Sequence, residues 1–180
     1  MKRNVFVIAL EDKQKTAMQT LRERKDLEIH GLLGVDTAVE ADKVSFNQLL
    51  SSAKEQLNVY PGTIDAIIAQ WDFPTSVIVP ILCQHYHLPS PSITSVLKCE
   101  HKYWSRLEQQ KVVPDVVPNF CGIDSFADDP LSQVTLDYPF WLKPVKAFSS
   151  HLGFKIENQS QFAQAMVEIR AGIRQLGDTF

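Results

Sequence analysis

Lys143 stands in the run Phe140-Trp141-Leu142-Lys143-Pro144-Val145, where alternation along a strand puts Trp141, Lys143 and Val145 on one face. An ammonium between a tryptophan and a valine is costly unless an anion meets it, which makes Lys143 a candidate anion ligand. An edge strand whose lysine reaches back to water explains the same residues, and Pro144 suits an edge. The loop that follows, Lys146 to His151, contains Ser149 and Ser150. Small hydroxyl side chains and free backbone N–H groups in such a loop can fold over phosphates. Paired serines are also ordinary turn residues. Lys98, Lys102 and Arg106 recur at i, i+4 and i+8, which is one stripe of a helix. The stripe is either a solvated face or the basic wall of a site.

Two other clusters compete for attention. Cys83, His85, His87, Cys99 and His101 contain metal-ligating side chains. However, an i, i+2 spacing puts His85 and His87 on different sides of a helix, and neither HxxxH nor CxxC is present. No metal site is expected there. Glu11-Asp12, Asp72, Thr94-Ser95 and Lys143-Pro144 together resemble the acidic pocket of a phospho-receiver domain. In that fold the lysine-proline strand comes soon after the hydroxyl residue. Here a helix, a proline-rich segment and a loop intervene.

The chain that must position these residues has 180 of them, enough for one domain or two small ones. Hydrophobic residues at 44% and charged residues at 22% describe a globular protein rather than a disordered one. Eighteen basic against 21 acidic residues leave a net charge of −3, so no broad basic field invites nucleic acid. The apolar runs are too short to span a membrane, and Val5 to Leu10 is too short for a secretion signal. Three cysteines without a CxxC look like reduced thiols of the cytoplasm. A cytoplasmic chain, binding neither nucleic acid nor membrane, is expected.

Strands and helices alternate through the first half. Asn4–Leu10, Leu27–Val35 and Ile64–Gln70 read as buried strands, and Leu88–Ile93 as a fourth extended segment. Helical patterns cover Asp12–Arg24, the stretch opened by the capping box Ser45-x-x-Gln48, and Asp72–His85. Pro80 predicts a kink or an early break in the last of these. Such alternation implies a parallel sheet with helices on both faces, and ligands at the carboxyl ends of its strands. The turn after the first strand, Glu11-Asp12-Lys13-Gln14, lacks the GxGxxG fingerprint, which excludes an NAD-type site. The second half predicts one helix over Ser95–Gln110, an extended stretch over Val112–Phe120, strands at Phe140–Val145 and Leu152–Glu157, and a last helix capped by Asn158-x-x-Gln161.

The order of motifs resembles the ATP-grasp superfamily. Leu88-Pro89-Ser90-Pro91-Ser92 precedes a helix containing Lys102. Val112-Val113-Pro114 follows, then Tyr138-Pro139-Phe140-Trp141-Leu142-Lys143-Pro144-Val145 with its serine loop, and a helix at Asn158–Arg170. The likeness covers Leu88 to Arg170. It implies an α/β fold in which residues 1–94 form a pre-ATP-grasp, Rossmann-like parallel sheet domain. Residues 95–180 would form an incomplete N-terminal α+β subdomain of the ATP-grasp fold. It further implies that Lys102, Lys143, Ser149 and Ser150 contact the phosphates of ATP.

The family makes an acyl-phosphate from a carboxylate, which an amine or thiol then attacks. The implied cofactors are ATP and magnesium (Mg2+), whose ligands are expected beyond Phe180. The implied partners are ATP and a small-molecule carboxylate, and a homodimer stays open. The sequence departs from the family at His101, where an aspartate is usual, and at Ala147 and Phe148, where glycines are usual. The reading is of an N-terminal ligase fragment, inactive alone. A non-catalytic nucleotide-binding or interaction module is the alternative, and the receiver-like domain a further one.

Overall fold

The computed structural model describes residues 2–20, 25–38, 44–147 and 152–177. The chain divides into two compact units, Met1–Val96 and Leu97–Asp178.

The first unit is built on β1 (Arg3–Ile8), which pairs in parallel with β2 (Leu27–Leu32) on one side and β3 (Ala66–Ala69) on the other. Parallel neighbours need crossovers. Helices α1 (Asp12–Gln19), α2 (Val35–Ala38) and α3 (Phe46–Asn58) provide them. As the central strand, β1 has Phe6, Val7 and Ile8 all buried, which is why its sequence is a continuous apolar run. The second strand stops earlier than its apolar run suggests, because Leu33 turns away with φ 55°. The Ser45–Gln48 capping box forms: Gln48 N–H donates to Ser45 Oγ at 3.3 Å, and Ser45 N–H to Gln48 Oε1 at 2.9 Å. Helix α3 then buries Leu49, Ala53 and Leu57, one per turn on one face.

Helix α4 (Thr75–His85) runs through Pro80 without the expected early break. It loses one backbone hydrogen bond there. Val77, Ile78, Leu82 and Cys83 are all buried, and this apolar burial outweighs the loss. The expected fourth strand is absent among the described residues. Leu88–Ser92 pairs with nothing in the sheet, and α5 (Ile93–Glu100) begins at once.

In the second unit, the predicted helix over Ser95–Gln110 is two helices, α5 and α6 (Lys102–Gln110), broken at His101. The predicted extended stretch contains a 3-10 turn at Pro114–Val116. Strands β4 (Phe140–Leu142) and β5 (Phe154–Ile156) pair antiparallel, Phe140 opposite Ile156. Helix α7 (Gln159–Gly177) is capped by Asn158 Oδ1, which accepts from Gln161 N–H at 3.0 Å. Its Phe162, Ala165 and Met166 pack on Phe140 and Ile156 to make the second core. Among the described residues, no helix is long and apolar enough to cross a membrane.

Candidate functional site

Residue 143 follows the end of β4, and the face it shares with Trp141 is the solvent face. Trp141 is 64% exposed, while Phe140 and Leu142 on the opposite face join the core. The expectation that Lys143 lies on an apolar, desolvated face is therefore corrected: it is exposed, with no burial to relieve. Its ammonium sits 5.1 Å from the centroid of the Trp141 ring. An exposed cation–π contact of this kind is worth about 0.5–1 kcal/mol.

Three different settings replace the single basic stripe, because the helix breaks at His101. Lys98 pairs with Glu108 at 2.8 Å, and Lys111 joins the same carboxylate at 2.9 Å. Hydrogen bonds from Lys98 and then Lys111 hold the Glu108 carboxyl below the ordinary carboxylate range. Arg106 donates to Gln109 Oε1 at 2.8 Å. Lys102 opens α6 and is fastened to the segment after β4. Its backbone N–H donates to Val145 O at 3.0 Å, and its Nζ to Ala147 O at 2.9 Å. Lys146 adds an ion pair with Glu100 at 3.2 Å. The junction of α5 and α6 is thus stapled to the chain that leads into the serine loop. Ser149 and Ser150 themselves lie outside the described residues.

His101 makes that junction possible. Its Nδ1 accepts from Trp104 N–H at 3.1 Å, the bond an aspartate usually makes at the start of a helix. His101→Ala is expected to destabilise the second unit by about 1 kcal/mol, with His101→Asp restoring it. Urea unfolding of the three proteins reads this directly. Equal stability of the alanine variant and the wild type would show that the cap is idle.

Lys102 and Lys143 line one cleft of about 850 Å³, together with Tyr103, Phe120 and Trp141. The segment bearing Phe120 gave no local sign of such a role. It lies close because Gly122 abuts Tyr103, where a Cβ would come within 3.2 Å of the ring. Phe120 meets the same ring edge-on at 5.4 Å. Two cationic side chains beside aromatic walls suit an anion attached to a flat or apolar body.

The residues of the receiver-like reading do not come from one sheet. Lys143 belongs to the second sheet and the second unit, and Thr94 and Ser95 lie in a helix rather than after a strand. Glu11 and Asp72 do share the carboxyl edge of the first sheet, where Trp71 Nε1 donates to Ala9 O at 3.2 Å. Each is locally engaged, Glu11 with Lys13 at 3.1 Å and Asp72 with the N–H of Phe73 at 2.9 Å. Among the described residues, no group of three or more His, Cys, Asp or Glu is placed to hold a metal ion.

No protein-family model matches the sequence, and no curated protein matches it. The structure is similar to the crystal structure of an L-amino acid ligase from Bacillus licheniformis, with a TM-score of 0.66 and 13% identity. The match covers 94% of this chain and 42% of that one, so the chain spans less than half the ligase's length. At that identity the likeness is one of fold. The chain thus shares an α/β fold, a parallel-sheet unit followed by an α+β unit, with part of that ligase.

Proposed function

We propose that residues 1–180 are the amino-terminal part of an ATP-dependent ligase that joins a carboxylate to an amine or thiol through an acyl-phosphate. In this reading residues 1–94 are the pre-ATP-grasp domain and the rest the first ATP-grasp subdomain. The observation that carries the proposal is the convergence of Lys102 and Lys143 on one cleft, in a fold like that of an amino acid ligase.

Each residue has a physical task. Lys143 supplies a compact positive charge for a phosphate, and the Trp141 ring keeps that charge at the cleft mouth. Lys102 supplies a second charge at the start of α6. Its tie to Ala147 holds the near end of the serine loop beside the cleft. Ser149 and Ser150 would then cover the outer phosphates. ATP supplies the phosphoryl group that activates the carboxylate. The described residues do not fit a magnesium site. We assign its ligands to the part of the ligase fold that this chain does not cover.

Binding without turnover is the expected behaviour of residues 1–180. Mg-ATP should quench tryptophan fluorescence saturably, because exposed Trp141 lines the cleft. Trp141→Phe should remove most of the quench while equilibrium dialysis still detects nucleotide. No phosphate should be released with any carboxylate and amine pair. Absence of nucleotide binding by both methods would refute the proposal, and steady phosphate release would refute the placement of the metal ligands.

A further inference from the structure

The cleft also contains thiols. Of the three cysteines, Cys83 is buried in the first unit, while Cys99 is exposed and Cys121 half-buried. Cys99 and Cys121 both line the cleft that holds the two lysines. The segment bearing Cys121 is fixed there by its neighbours: Phe120 meets the Tyr103 ring at 5.4 Å, and Gly122 lies against it. Among the described residues, Lys102, Arg106 and Lys143 line the same walls against a single carboxylate, Asp137. Accessible thiols in a cationic recess meet anionic reagents at raised local concentration. Burial pushes the Cys83 thiol up from its ordinary pKa, which makes it an internal unreactive reference.

We propose that Cys99 and Cys121 form a modification site for small anionic disulfides, whose carboxylates engage the cationic wall while a cleft sulfur is thiolated. The thiolate of Cys99 or Cys121 attacks one sulfur of the disulfide. A mixed disulfide to the protein forms and the reagent's own S–S bond breaks. The departing thiolate takes up the proton that the cysteine gave up, so the disulfide is the only oxidant needed. The further consequence, that the bound group excludes nucleotide, rests on the function proposed above.

The test uses glutathione disulfide as the anionic probe and hydroxyethyl disulfide as the neutral one, each rate normalised to that of a free cysteine peptide. Peptide mapping should find adducts on Cys99 and Cys121 and none on Cys83 in the folded protein. The normalised rate for glutathione disulfide should exceed the neutral one roughly tenfold, a modest value for charge focusing in a cleft. High salt should erase that preference, as should the pair of changes Lys102→Ala and Lys143→Ala. Equal normalised rates, or modification of Cys83 as fast as the others, would overturn the site. Mg-ATP in the reaction separates the two readings. A charge preference that Mg-ATP does not slow supports the thiol site and removes the nucleotide. Slowing by Mg-ATP without a charge preference removes the thiol site.

Discussion

Leu82→Ala should destabilise the first unit by about 2–5 kcal/mol, the range for truncating a fully buried leucine. Leu82 is 0% exposed and belongs to the core that α4 shares with the parallel sheet, beside Ile78 and Ile67. Helix α4 already contains Pro80, which removes one backbone hydrogen bond. Its place in the fold therefore depends heavily on buried side chains, and a cavity at Leu82 acts on the remaining support. Val59→Ala provides the contrast: Val59 is 80% exposed, so its truncation should stay within about 0.5 kcal/mol. Urea unfolding followed by circular dichroism measures both. A loss below about 1 kcal/mol at Leu82 would mean that α4 is held by something other than this core.

Lys143→Ala should weaken Mg-ATP by about 1.5–3 kcal/mol, roughly 10- to 150-fold, the usual worth of a hydrogen bond to a charged group. Lys102→Ala should cost a similar amount by a partly different route. It removes a charge from the cleft and also the bond from Nζ to Ala147 O. Lys102→Arg keeps the charge but not the compact ammonium, and should recover only part of the loss. Trp141→Ala should cost less, about 0.5–1 kcal/mol, because it removes only the ring that steadies Lys143.

Local patterns revealed the elements whose causes are local. The apolar run of β1, the reciprocal bonds of Ser45 and Gln48, and the cap at Asn158 each need only a few neighbouring residues. What escaped depends on distant partners. Leu88–Ser92 has the extended character that Pro89 and Pro91 impose, yet a strand exists only where another strand pairs with it. Alternation correctly put Trp141 and Lys143 on one face, but it cannot say which face meets the core. Phe162 and Met166 of α7 decide that by packing on Phe140. The break at His101 hides within a continuous helical pattern, since a histidine cap leaves no strong trace in the sequence. The aromatic wall of the cleft was also silent, because it depends on the close approach of Gly122 to Tyr103.

The most direct test of the cleft as a phosphate site is calorimetric titration of Mg-ATP into wild type, Lys98→Ala and Lys143→Ala. Lys98 follows the same sequence periodicity as Lys102, but its ammonium is committed to Glu108 at 2.8 Å and it is not part of the cleft wall. Lys98→Ala should therefore bind like wild type, while Lys143→Ala binds roughly 10- to 150-fold more weakly. Equal losses in the two variants would mean a diffuse basic surface in place of a built site, and would contradict the assignment of Lys102 and Lys143 to nucleotide phosphates.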